Sequence, residues 1–155
     1  SRAALVRSID GGLTWDPASR VVIDTSDGTK DLNLGTVAQV SSGELIFNNM
    51  RLFTNLSEAE AEGMRAQRRY HVPSSQPYGA MVFDSLYLQR SFDNGSTWSE
   101  PESFDVSDLS FYTHTGQTGV IELPDGTWLL PFAGQCSLDE PDRLSAARST
   151  PTGQT

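Results

Sequence analysis

Asp84, Arg51 and His114 are the side chains whose types and positions suit acid–base or electrostatic chemistry. A carboxyl such as Asp84 serves as a general acid when it is desolvated against a bound ligand. Arg51, which closes Asn48-Asn49-Met50-Arg51, and His114, in Phe111-Tyr112-Thr113-His114-Thr115-Gly116, would act beside it, and Arg68, Tyr112 and Gln117 would share in binding. Asn33, Gln135, Arg65, Arg69, Tyr70 and His71 complete the polar set able to converge on one end of the fold. Each has a second reading. Arg68-Arg69-Tyr70-His71 also suits the last turn of a short helix, where cations offset the helix dipole. His114 also suits a hydrogen bond within its own loop, and Asp84 a turn at the start of a strand.

What positions these residues is a repeat. Arg7-Ser8-Ile9-Asp10-Gly11-Gly12-Leu13-Thr14-Trp15 returns as Arg90-Ser91-Phe92-Asp93-Asn94-Gly95-Ser96-Thr97-Trp98, sharing Ser-x-Asp-x-Gly-x-Thr-Trp and the Arg before it. A decayed copy follows at Arg148-Ser149-Thr150-Pro151-Thr152-Gly153-Gln154-Thr155, with Pro151 in the Asp position. The flanks repeat too. Gly35-Thr36-Val37-Ala38-Gln39-Val40-Ser41-Ser42-Gly43-Glu44-Leu45-Ile46-Phe47 and the segment from Gln117 to Phe132 both read as strand, tight Gly turn, strand. A further strand precedes each box, at Ala3 to Arg7, Ala80 to Arg90 and Leu144 to Arg148. The unit is therefore four strands, with the box joining the third to the fourth.

Ser91 and Ser149 are 58 residues apart, near the roughly 40 to 50 residues of a propeller blade. Ser8 and Ser91 are 83 apart, and the surplus lies between Thr54 and Pro77. There Ser57-Glu58-Ala59-Glu60 forms a capping box that opens a helical run to about Tyr70. The expected fold is all-β: a β-propeller of four-stranded antiparallel blades. Residues 1–24 supply the outer part of one blade, 35–106 a complete blade with a helical insertion over 54–78, and 117–155 an incomplete one, about two blades in all.

Successive connections in an antiparallel blade alternate between the two ends. The boxes and the turns Ser41-Ser42-Gly43 and Pro124-Asp125-Gly126 fall at one end. The long connections Asp24 to Gly35, Thr54 to Gly79, Ser107 to Gly116 and Gly134 to Arg143 fall at the other, where function usually sits.

Within each box the Asp can accept backbone N–H groups of its own turn, the Gly can take positive φ, and the Trp can wedge between sheets. Ser8, Asp10, Gly12, Thr14, Trp15, Ser91, Asp93, Gly95, Thr97 and Trp98 are thus architectural. A calcium loop is the alternative, but the alternating oxygen ligands and final Glu of such a loop do not follow, so no metal and no cofactor is expected. The formal charge of −9, from 20 acidic and 11 basic residues, disfavours a nucleic-acid partner and demands a local Arg cluster for any acidic ligand. No stretch reaches the roughly 18 apolar residues of a membrane span. Cys136 is the single cysteine and cannot form an internal disulfide. The opening Ser1-Arg2-Ala3-Ala4-Leu5-Val6 lacks the charged-then-apolar pattern of a secretory leader.

The boxes resemble those of sialidases and related Asp-box proteins, also called bacterial neuraminidase repeat proteins. The segment Gly116-Gln117-Thr118-Gly119-Val120-Ile121-Glu122-Leu123-Pro124-Asp125-Gly126-Thr127-Trp128 is similar to their first-strand, turn, second-strand unit. The resemblance covers essentially the whole chain. It implies a six-bladed propeller of which this chain is a part, in a secreted or periplasmic protein. It also implies an active site with an arginine triad for a carboxylate, an Asp acid/base and a Tyr–Glu nucleophile pair. Arg51 resembles the Arg of the Glu-Arg or Asp-Arg pair often found at the end of the second strand, with Asn49 and Met50 in place of the acid. The Phe/Tyr-Arg-Ile-Pro segment of the family is missing from both visible first strands, and Asp84 falls slightly after the expected place of the acid/base. The expected function is a segment of a sialidase-like glycoside hydrolase acting on terminal sugars. The alternative is a non-catalytic propeller that binds glycan or protein. Its partners would be a glycan or glycoconjugate and the rest of the propeller, from the same longer chain or from other copies.

Overall fold

Runs rich in Val, Ile, Leu, Phe and Tyr, broken by Gly turns, form antiparallel strands here as their pleated, half-buried surfaces favour. The computed structural model describes residues 2–25, 30–32, 35–67, 71–72, 80–104, 112–115, 119–135 and 143–149. They build three antiparallel sheets and one short helix. The first sheet is β1 (Arg2–Arg7) with β2 (Asp16–Thr25).

The central sheet is built on a long hairpin of β5 (Leu45–Leu56) and β7 (Ala80–Ser91). On the outer edge of β5 lie β3 (Lys30–Leu32) and β4 (Thr36–Gln39); on that of β7 lie β6 (His71–Val72) and β8 (Glu102–Ser103). The third sheet places β11 (Trp128–Gln135) between β12 (Arg143–Arg148) on one edge and β9 (Tyr112–Thr115) and β10 (Ile121–Glu122) on the other.

Two connections expected as loops therefore contain strands. β3 lies inside Asp24 to Gly35 and β9 inside Ser107 to Gly116, each prolonging the first strand of its sheet. Leu32 faces Arg51 and Thr36 faces Asn48, so the β3–β4 side is one residue longer than the β5 side it opposes. An extra residue puts the alternation that marks a strand in sequence out of phase. In the third sheet the pairing next to the Gly turn begins at Ile121, and Gly119 and Val120, the described part of the Gln117 to Val120 expected as the first strand, lie just before it.

The central hairpin is covered on both faces. Ile46, Met50, Leu86 and Leu88 pack with Val120, Trp128, Leu130 and Phe132 of the third sheet. Alternation puts Phe47 and Tyr87 on the opposite face, against Ile23, Ala3 and Leu5 of the first sheet. Ile46 pairs with Arg90 in the central sheet and Leu129 with Arg148 in the third, so the third sheet repeats the register of the central one.

The inserted helix α1 (Glu58–Arg65) starts as its sequence dictates. The Ser57 hydroxyl accepts the Glu60 N–H at 3.3 Å, and the Glu60 carboxylate accepts the Ser57 N–H at 2.9 Å. Ala61, fully buried, seats the helix on Val82. α1 ends at Arg65, short of the expected Tyr70: Ala66 caps it, its N–H donating to the Glu62 carbonyl.

Both complete boxes close by the same bonds. Ser8 donates to Asp10 at 2.6 Å and accepts the Gly12 N–H at 2.8 Å, while Asp10 accepts the N–H and hydroxyl of Thr14 at 3.0 and 2.6 Å. In the second box Ser91 donates to Asp93 at 2.9 Å and accepts the Gly95 N–H at 2.7 Å, and Asp93 accepts the same two Thr97 groups at 2.8 and 2.6 Å. Gly12 and Gly95 have φ of 91° and 78°, where a side chain is strained. Trp98 stands edge-on to Phe47, ring centroids 6.1 Å apart, in the gap between the first and central sheets. Trp15 does not follow it and is 60% exposed.

The Thr97 hydroxyl and N–H hold the Asp93 carboxyl down to about 2, against 3.8 ordinarily. The Ser8 hydroxyl, then Thr14, push Asp10 down as well. A carboxyl whose folded pKa is depressed stabilises the fold above its unfolded value and stops doing so as pH falls through the folded one. The second box is therefore expected to loosen between about pH 4 and pH 2, read as a change in Trp98 emission, and Asp93→Asn should remove that step from the titration. Ile46→Ala, which empties a fully buried site between two sheets, should cost about 2 to 5 kcal/mol in urea unfolding.

Candidate functional site

The strands carry the boxes at one end and a cluster of charged groups at the other. Along β5, Leu45 lies beside the second box, and Arg51 is six residues further on, about 20 Å away at strand rise. Arg51 leaves the face turned to the first sheet and meets Asp24, near the end of β2, at 2.7 Å. Its guanidinium lies 4.8 Å from the centre of the Tyr87 ring. Lys30 repeats the arrangement on β3: it pairs with Asp84 at 3.0 Å and lies 4.8 Å over the Phe53 ring.

Asp84 owes its place to a bulge. Arg51 faces Ser85 and Leu52 faces Phe83, which leaves Asp84 as the extra residue of β7 between two rungs. Expected as a turn at a strand start, it lies instead within β7. Ser85 also donates its hydroxyl to Asp84 at 3.0 Å.

The electrostatics of the two pairs follow from partial burial. The side chains of Asp24 and Asp84 are 11% and 14% exposed, those of Arg51 and Lys30 27% and 31%. Burial works against the Arg51 charge, but the hydrogen bond and charge of Asp24 outweigh it and raise its pKa. Burial, then the negative charge of Asp24, pushes the Tyr87 phenol well above the ordinary tyrosine value. Tyr87 is thus a neutral floor under Arg51, and a nucleophilic phenolate is strongly disfavoured there. Next to it the amide nitrogen of Asn49 is buried without a hydrogen-bond partner.

Among the sequence-derived candidates, the structure brings Arg51 and Asp84 together, on neighbouring strands of one sheet end. His114 faces Ala133 and Tyr112 faces Gln135 in the β9–β11 ladder, His71 faces Val82 in the β6–β7 ladder, and Arg65 ends α1. The side chains of these residues lie outside the described set. Arg68, Gln117, Asn33, Arg69 and Tyr70 lie outside the described residues altogether. Asp24, Lys30, Ser85 and Tyr87 were not anticipated. Lys30 did carry a signal, as the chain's only lysine against ten arginines, placed where one sheet passes to the next. Among the described residues no group of three His, Cys, Asp or Glu could hold a metal ion, and no helix is long and apolar enough to cross a membrane.

No protein-family model matches the chain, and no curated protein matches it. The site is therefore read from its own geometry.

Asp24→Asn keeps the shape and removes the charge that holds Arg51, at a cost of about 1 to 3 kcal/mol in chemical denaturation. In a double-mutant cycle with Arg51→Met the two losses should be strongly non-additive. Additive losses would mean that the pair is not coupled in solution.

Proposed function

We propose that this chain is part of an Asp-box β-propeller, its sheets being successive blades, in a secreted or periplasmic sialidase-like glycoside hydrolase acting on terminal sugars of glycans. The observation that carries this reading is the disposition of the two ends. Two Ser-x-Asp-x-Gly-x-Thr-Trp turns closed by the same hydrogen bonds stand at one end. A cluster containing Arg51, Asp24, Asp84 and Tyr87 stands at the other.

In this reading Arg51 offers its planar fork of N–H donors to the carboxylate of an acidic sugar, for which Asp24 is the resident stand-in. Asp84, on the next strand, supplies the carboxyl that gives a proton to the leaving oxygen, as glycosidases require. Lys30, which holds that carboxylate at 3.0 Å, has to yield it before a ligand can reach it. Arg68, Tyr112, His114 and Gln117 would complete the sugar contacts.

One observation favours a second reading, a non-catalytic propeller that binds glycan or protein: Arg51 and Asp84 are both already matched by opposite charges. Hydrolysis of a fluorogenic sialoside at mildly acidic pH separates the two. The enzyme reading expects turnover that falls about 100-fold or more in Asp84→Asn, and through a raised KM in Arg51→Ala. Absence of turnover together with retained binding to immobilised glycans would establish the second reading.

A further inference from the structure

The second box contains the one Asn-Gly pair of the sequence, Asn94-Gly95. In such a pair the glycine nitrogen can attack the carbon of the asparagine side-chain amide, because glycine has no side chain to crowd it. The attack forms an N–C bond and closes a cyclic imide, while the glycine proton and the amide nitrogen leave together as ammonia. Water then opens the imide at either carbonyl, giving aspartate or isoaspartate. The other asparagines are followed by bulkier residues: Asn33 and Asn55 by Leu, Asn48 by Asn49, and Asn49 by Met50. The first box has Gly11 where the second has Asn94, so this chemistry is confined to one of the two complete boxes.

Both ends of the peptide unit between Asn94 and Gly95 are held. Its N–H donates to the Ser91 hydroxyl oxygen at 2.7 Å, in a buried contact. Its carbonyl accepts from the Arg7 guanidinium of the first sheet. The flanking chain is pinned as well, since Asp93 accepts the N–H groups of Ser96 and Thr97 at 3.0 and 2.8 Å. Asn94 is exposed with φ at 58°, while Gly95 is buried with φ at 78°. Ring closure requires the Gly95 nitrogen to release its hydrogen and to turn towards the Asn94 side chain, a rotation about the Asn94 Cα–C bond that carries the carbonyl with it. The closed box opposes both movements. The attacking nitrogen is covered and its hydrogen engaged, although the side chain it would attack stands in water.

We propose that Asn94 is a site of spontaneous deamidation guarded by the closed second box, with water as the co-reactant. The Ser91 hydroxyl and the Arg7 guanidinium hold the Asn94–Gly95 peptide unit away from ring closure, and conversion proceeds from the opened turn. The extent of conversion is therefore a record of how often the box has opened. The products change the box. Aspartate adds a negative charge next to Asp93. Isoaspartate routes the main chain through the former side-chain carbon, so the turn gains one main-chain carbon and the carbonyl that takes Arg7 becomes a free carboxylate. Either product alters the link between the first sheet and the second box. The inference uses the box geometry alone, so loss of the hydrolase reading would leave it intact.

The test follows Asn94 in the whole chain at mildly alkaline pH, by peptide mapping that separates the asparaginyl, aspartyl and isoaspartyl forms. Conversion should be at least about tenfold slower in the native chain than in the same chain in strong urea. Ser91→Ala, which leaves the buried Gly95 N–H without its acceptor, should speed conversion of the folded chain about tenfold and leave the rate in urea unchanged. Arg7→Met frees the carbonyl end of the same peptide unit by removing an exposed contact. It should speed conversion severalfold, and it decides the matter should Ser91→Ala fail to fold. Equal rates in the native chain and in urea, or folded variants that convert no faster than the unaltered chain, would overturn the proposal.

Discussion

A hairpin buried on both faces has to place every side chain against a neighbouring sheet, and the β5–β7 hairpin is under that constraint along most of its length. Ile46, Met50 and Leu86 fill one gap and Phe47 and Tyr87 the other. At roughly 25 cal/mol per Å² of apolar area removed from water, a fully buried Ile or Leu is worth about 1.5 to 3 kcal/mol, more than any of the surface ion pairs, whose typical worth is at most about 1 kcal/mol. The hairpin therefore fixes the register, and the register fixes everything carried at its two ends. The same constraint brings polar groups inside. Gln89 is satisfied on one side by the carbonyls of Ile23 and Ser99, at 3.2 and 2.8 Å, so that one amide ties the first sheet to the segment after the second box. Asn48 and Asn49 are fully buried, on opposite faces, and an unpaired amide inside costs about 1 to 3 kcal/mol. Among the described residues no partner accounts for Asn48.

The two ends of the hairpin solve different problems. At the box end the turn has to reverse the chain in eight residues, and an Asp that collects the hydroxyl and N–H donors of its own loop does this locally. At the other end charge matched between the sheets links them: Asp24 of the first sheet reaches Arg51 of the second. A glycosidase-like site at that end would inherit two preset properties. Its guanidinium is already oriented by a carboxylate, and its acid is on a bulge that lifts it out of the ladder. Both are ways of fixing a functional group before a ligand arrives.

How much of this was legible in the sequence follows the range of the interactions. The boxes and the helix start were readable because their donors and acceptors lie within four residues of each other: Ser8 with Gly12, Asp93 with Thr97, Ser57 with Glu60. The antiparallel β character was readable from period and turns. The ion pairs were not, because Arg51 finds a partner 27 residues away and Lys30 one 54 away, across a sheet gap that periodicity does not report. Short strands were missed for a related reason. Lys30–Leu32 and Tyr112–Thr115 are polar segments, held as strands by the partner's ladder and not by their own propensity.

The Arg before each box shows how a local repeat becomes a stack. Arg7 donates to the carbonyl of Asn94 in the next box. Arg90 lies 4.8 Å over the ring of Trp128 in the next sheet while pairing with Glu44 of its own. Among the described residues Arg148 pairs with Asp125, at 3.7 Å and with both side chains more than half exposed. The Arg7 contact is exposed and those of Arg90 are partly shielded, and both residues reach forward; a cation over an aromatic ring contributes about 0.5 to 2 kcal/mol, depending on how far it is desolvated. The third is a solvated pair of little consequence. One residue type at one repeat position therefore reaches the next box from β1, the next sheet from β7 and its own hairpin from β12.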